Sequence, residues 1–160
     1  MSASPVIRLA RFQEAVELTD LAKRSKAHWG YDADFMRQSA DALTVTEQAI
    51  AQGRVWVAER NGHLMGVASI DEADEESGCD YELALMFVDP DAMGEGLGRM
   101  LFEQAVIGVR ERGGETMEIL SDPDAEPFYR RMGATPIGDA PSDAIPGRRL
   151  PLLKIDVKAR

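Results

Sequence analysis

Three glycines at alternating positions, Gly94, Gly96 and Gly98, stand in the stretch VDPDAMGEGLGRML. They separate an apolar run ending at Val88 from an apolar stripe that starts at Leu97. Glycine loses more conformational freedom on folding than any other residue, so this spacing has a purpose. A strand, a turn without side chains and a helix start place unpaired amide N–H groups and a partial positive charge together. That arrangement suits an anion such as a pyrophosphate. A turn that needs glycine for its own geometry is the alternative. No Gly-Lys-Ser/Thr follows, and the spacing departs from G-x-G-x-x-G, so neither a Walker loop nor a dinucleotide fingerprint is present. Cys79 is the only cysteine and lies in an acidic stretch without electropositive support for a thiolate. With two separated histidines, His28 and His63, no zinc spacing exists and no metal is expected.

The elements around these residues follow from periodicity. VIRLA at Val6–Ala10 reads as a strand. Ala15, Leu18, Leu21 and Ala22 recur at helical spacing from Phe12 to about Ala27. Gly30 breaks that helix, Asp32 caps a second one, and a further helical piece runs from Thr46 to Gly53. RVWVAER and HLMGVASI read as strands joined by an Asn61-Gly62 hairpin turn, followed by the acidic loop DEADEESGCD. YELALMFV is almost continuously apolar and predicts a strand buried on both faces. Leu97, Met100, Leu101, Ala105 and Val109 form a helical stripe closed by Gly113 and Gly114. TMEIL is a strand, AEPFYRRMGA a short helix ended by Gly133, and the tail a turn at Pro146-Gly147 before a strand near Leu150 to Val157. The order β-α-α-β-β-β-α-β-α-β-β predicts one mixed α/β domain over residues 1–160.

The 160 residues suffice for one domain with a substantial core. No apolar run approaches the roughly 20 residues of a membrane helix, and MSASPVIRLA lacks the basic and apolar regions of a signal peptide. A cytoplasmic location is therefore expected. Eighteen basic against 28 acidic residues give a formal charge of −10, which argues against nucleic acid and anionic membrane as partners. The acidic balance either keeps the chain soluble, the commoner reason, or attracts a cationic amine.

Met93-Gly94-Glu95-Gly96-Leu97-Gly98, at its distance after FVDP, resembles the acetyl-CoA signature Q/R-x-x-G-x-G/A of the GNAT superfamily of N-acetyltransferases. AEPFYRRMGA resembles the family's A-x-x-F-Y-x-x-x-G-F element, and the element order agrees over nearly the whole chain. SKAHWGYDADF, DPDAEPFYRRMGA and IPGRRLPLL further resemble a bacterial subgroup whose acceptors are mostly unassigned. The resemblance implies a single GNAT-like domain, a mixed central sheet with helices on both faces, and acetyl-CoA as cosubstrate. It implies a coenzyme site over Phe87, Val88, Met93, Gly94, Glu95, Gly96, Leu97, Gly98, Arg99, Asp124, Phe128 and Arg131, with Arg130 a second candidate cation. Met93 replaces the usual Gln or Arg, Glu95 brings a negative charge, and Asp124 replaces an asparagine common in the subgroup.

By the same resemblance Tyr129 protonates the departing CoA thiolate. Glu82 deprotonates the amine directly or through water, with His28 the runner-up base. A strand amide near Phe87 steadies the oxyanion. The acceptor pocket is expected between the early helices and the C-terminal hairpin. There Trp29 and Tyr31 face an amine or form a hydrophobic cluster, and Ser142 and Arg148 are candidates to meet a carboxylate or polar group of the acceptor. The resulting expectation is an N-acetyltransferase for a small amine acting in a ternary complex. A non-catalytic CoA sensor and a protein acetyltransferase are the alternatives, and a homodimer is a candidate assembly.

Overall fold

The computed structural model describes residues 4–159. Strand β1 (Val6–Leu9) leads through a 3-10 turn at Phe12–Glu14 into α1 (Ala15–Ala27), so the first helix starts later than its apolar period suggests. Helix α2 (Ala33–Ser39) is capped by the Asp32 carboxylate, which accepts from the Phe35 N–H at 2.8 Å. It stops short of the expected length, and Asp41–Leu43 forms a 3-10 turn. Thr46 caps α3 (Glu47–Ala51) in the same way.

Strands β2 (Val55–Arg60) and β3 (His63–Glu72) are joined by Asn61 and Gly62, both at positive φ, as a tight hairpin requires. After β4 (Tyr81–Val88) the chain crosses through α4 (Leu97–Glu111) to β5 (Thr116–Leu120). Then α5 (Glu126–Arg131), β6 (Thr135–Pro141) and β7 (Arg149–Asp156) follow. The seven strands lie in the order β1-β2-β3-β4-β5-β7-β6, and only β4 and β5 are parallel. A parallel neighbour needs a crossover, and α4 supplies it.

Alternation along the strands sorts the core into two faces. Val55, Val57, Val67 and Leu85 pack with Leu18 and Leu21 of α1. Trp56, Ile70, Met117 and Ile119 pack with Phe102, Ala105 and Val109 of α4 and with Tyr129 of α5. Helices therefore cover both faces. No helix among the described residues is long and apolar enough to cross a membrane.

The sheet opens at one place. β4 and β5 are paired only at Tyr81↔Met117 and Glu82↔Glu118. Beyond them β4 continues along β3 to Gly66↔Val88, and β5 continues along β7 to Leu120↔Leu152. Ala84 is an extra residue between Leu83, opposite Ile70, and Leu85, opposite Ser69. Such a bulge bends the strand that carries it, here at the point where the two strands part. The expectation of a doubly buried β4 is corrected accordingly. Leu85 alone of its residues is buried, the others being part-exposed, and Glu82 to Val88 line one or both of the cavities beside the split.

Candidate active site

One cavity, of about 610 Å³, lies between the start of α4, α5 and the splayed end of β4. Gly96 occupies the N-cap of α4 at φ 84, and no side chain caps the helix. Gly94 has the same φ of 84. A Cβ on either would meet nothing within 4 Å, so both glycines serve the left-handed backbone and leave its outer side open. Gly98 has ordinary helical geometry, and a Cβ there would rest 3.5 Å from the Phe128 ring. Packing does not demand glycine at 98. A 15-residue helix with uncapped first amides, beside a loop that carries no side chain at Gly94, Gly96 and Gly98, fits a phosphate-bearing ligand.

Met93, Gly94, Gly96, Leu97, Gly98 and Arg99 line this groove, as do Phe87, Val88, Asp124, Phe128 and Arg131. Glu95 does not. Its carboxylate turns to Arg60 of the hairpin at 2.6 Å, which removes its charge from the loop's open side. Arg130 also points elsewhere, to Glu126 at 3.1 Å. Arg99 shares its charge with Glu103 at 3.2 Å, leaving Arg131 as the groove cation without an ion pair among the described residues.

Tyr129 forms part of the groove wall and is 7% exposed. Phe128 and Phe102 hold its ring at centroid distances of 5.2 and 5.8 Å. Its hydroxyl has no hydrogen-bond partner among the described residues. Burial, and then the nearby Asp122 charge, push the phenol above its usual range, so it stays protonated and donates.

A larger cavity of about 890 Å³ lies on the α1 face of the sheet, walled by α2–α3, the loop after β3 and the β6–β7 hairpin. It shares Leu83, Ala84, Leu85, Phe87, Leu120 and Asp122 with the groove, so the two meet across the β4/β5 split. Glu82, at the last paired position before the split, faces this larger cavity. Burial first, then the charges of Asp71, Asp143, Glu118 and Asp74, push its carboxyl up to about 7. A carboxylate near neutrality is suited to accept a proton.

The split also decides which backbone groups are free. The Asp89 N–H donates to the Met65 carbonyl at 2.8 Å. Twofold alternation then points the Phe87 N–H at β3, and those of Met86 and Val88 into the split. The strand amides near Phe87 that β3 leaves free are therefore those of Met86 and Val88.

The aromatic residues part company. Trp29, 54% exposed, stands at the groove with Leu97 rather than in the larger cavity. Tyr31 lines neither cavity. It stacks on Phe35 at 4.0 Å, and its hydroxyl accepts from Arg148 Nη2 at 3.1 Å. Lys26 Nζ lies 5.1 Å and the Arg148 guanidinium 5.4 Å from the centre of its ring. His28 is exposed at the end of α1, away from both cavities. Ser142 lines the larger cavity, but its hydroxyl oxygen accepts from the Ala144 and Ile145 N–H groups and shapes the hairpin. No group of three or more His, Cys, Asp or Glu among the described residues could hold a metal.

Sequence reasoning missed the knot at the junction. Asp122 accepts from Lys26 Nζ at 2.7 and 2.8 Å and lies 3.6 Å from Arg148. The Arg148 guanidinium sits 4.9 Å over the Phe35 ring. The three stretches that resemble the bacterial subgroup are the ones that meet here, which was the available signal.

Comparison with known proteins agrees with this architecture. The family profile described as "Acetyltransferase (GNAT) domain" matches residues 17–143. A 5-NmdU N-acetyltransferase of Pseudomonas phage PaMx11 is 30% identical over 135 residues, 84% of this chain and 90% of the relative. Among solved structures, yncA, an acetyltransferase of Salmonella typhimurium with acetyl-CoA, superimposes with a TM-score of 0.71 at 21% identity, covering 97% of this chain and 95% of that one. PaiA N-acetyltransferase of Thermoplasma acidophilum in complex with coenzyme A gives 0.74 at 12% identity, covering 96% and 99%.

Proposed function

The chain belongs to the GNAT acetyltransferase family, and from that premise we propose that it moves the acetyl group of acetyl-CoA to a primary amine of a small molecule. The observation that carries this reading is the β4/β5 split. One side opens on a groove with glycines and helix amides, the other on a cavity with a titratable carboxylate. A thioester laid through the groove would present its carbonyl carbon at the split, with the sulfur toward Tyr129 and the acyl group toward Glu82.

The chemistry then follows from the residues. Glu82, or a water it holds, takes a proton from the ammonium so that the nitrogen has a lone pair. The nitrogen attacks the carbonyl carbon, the C–N bond forms, and the electron pair moves to oxygen. The split-facing N–H groups of Met86 and Val88 meet that oxyanion. Collapse breaks the C–S bond, and the Tyr129 hydroxyl donates to the departing sulfur. Glu82 passes the first proton to solvent, the second proton leaves nitrogen through water and restores the Tyr129 hydroxyl, and CoA departs as the thiol. Because both substrates occupy their own cavities, no acyl-enzyme is needed.

The phage relative is named for 5-NmdU, whereas the acceptor here is set by this chain's own cavity. The test is a panel of primary amines, 5-NmdU included, assayed for CoA thiol release with the product identified by mass spectrometry. N-acetylated product from a small amine is expected. Tight CoA binding with no acetylated product from any amine would instead make the chain a CoA-binding module.

A further inference from the structure

We infer that the acceptor is a compact organic polycation, carrying at least one ammonium besides the one acetylated, held in the cavity on the α1 face; this rests on the reading of that cavity as the acceptor site. Eight carboxyl side chains line it against two cations, Lys26 and Arg148. Both cations pair with the one Asp122 carboxylate, and the single net positive charge of that trio faces the seven other carboxyl side chains, so an acceptor carboxylate or phosphate meets a net negative lining. The expected meeting of Arg148 with an anionic group on the acceptor is thereby disfavoured.

The carboxylates are arranged rather than scattered. Asp71, Glu82 and Glu118 occupy directly paired positions on three neighbouring strands, β3, β4 and β5, and all three line the cavity. Like charges directly opposite one another destabilise a sheet. Arg54, 4.0 Å from Asp71, offsets only that end of the row. Asp74, from the loop after β3, and Asp143, from the β6–β7 hairpin, add charge from the opposite wall. Burial and this shared negative potential raise the Glu82 and Glu118 carboxyls. The described residues offer no group that could hold a metal ion, so the countercharge fits an organic cation. Glu82 stands at the split and receives the reacting nitrogen. Glu118, Asp74 and Asp143 hold the second ammonium. A monoamine would leave them unpaired, and an amino acid would set a carboxylate against them.

Three acceptors of one chain length separate these cases: 1,4-diaminobutane, 1-aminobutane and 4-aminobutanoate, with spermidine as a longer polycation. With acetyl-CoA saturating, kcat/KM for the diamine should exceed that for the monoamine by about tenfold or more, the step one partly desolvated ion pair supplies. 4-Aminobutanoate should be the poorest. Raising the salt should shrink the preference. Asp143→Asn, on an exposed hairpin where folding is not at stake, and Glu118→Gln should each move the diamine-to-monoamine ratio toward one. A monoamine or 4-aminobutanoate used as well as the diamine overturns the polycation inference and leaves acetyl transfer standing. Unchanged ratios in both variants overturn the assigned subsite. No turnover of any of the four, with CoA bound, overturns the small-amine reading and this inference with it.

Discussion

Glu82→Gln should make the protein more stable at alkaline pH while it loses activity. The carboxyl is raised from 4.5 to about 7 by burial and by Asp71, Asp143, Glu118 and Asp74. A raised carboxyl means that the native state holds the proton more tightly than the unfolded chain. Native stability is therefore highest below about 4.5, falls as pH rises toward about 7, and is level above that. Taken whole, the shift corresponds to about 3 kcal/mol, but Glu82 is only half-buried and borders an open cavity. Solvent screening reduces this to about 1–2 kcal/mol. Glutamine keeps the shape and removes the charge. At pH 8 the variant should melt about 2–8 °C above the parent, while at pH 5 the two should nearly coincide. Its kcat/KM should drop about 10²-fold or more, and the rise in rate through pH 7 should vanish. Urea unfolding at both pH values, beside initial rates, measures all of this. Equal stabilities at pH 8, or a variant less stable there, would refute the electrostatic reasoning.

Tyr129→Phe removes a hydroxyl without a hydrogen-bond partner among the described residues, so folding and CoA affinity should hold while kcat falls by ~10²–10⁴-fold; normal turnover would remove Tyr129 from the chemistry. Gly98→Val, whose Cβ has room beside Phe128, should keep the melting temperature and weaken CoA binding in calorimetry. Gly96→Val should instead cost about 1–2 kcal/mol of stability through its left-handed φ, and equal CoA affinity in the Gly98 variant and the parent would dismiss the groove. Because Glu95 is turned to Arg60, Glu95→Gln should leave CoA affinity within about twofold. Met93→Gln, at the groove, should tighten it by ~0.5–1 kcal/mol; the reverse order would mean that Glu95 faces the phosphates.

The glycine loop, Tyr129 and the sequence of strands and helices were legible because they depend on local spacing and periodicity. The split was not, since the bulge at Ala84 exists only in the pairing of β4 with β3. YELALMFV looks the same whether its neighbours are strands or cavities. The carboxylate row was hidden for a related reason. Glu82 stood out through the family resemblance, but Asp71 and Glu118 read as ordinary acidic residues among 28, and only the register of three strands sets them beside it. Tyr31 misled because an aromatic in a loop suggests a ligand, whereas Phe35 one helical turn later, and Arg148 far along the chain, satisfy it. Loop charges misled likewise, as Glu95 finds Arg60 across the hairpin.

The most direct measurement is a crystal structure with coenzyme A. The account places the phosphates on the amides from Gly94 to Arg99, the pantetheine arm along Met86–Val88, and the sulfur within hydrogen-bond reach of the Tyr129 hydroxyl, opening through the split toward Glu82. A sulfur lodged away from Tyr129, or a coenzyme bound outside the β4/β5 split, would contradict it.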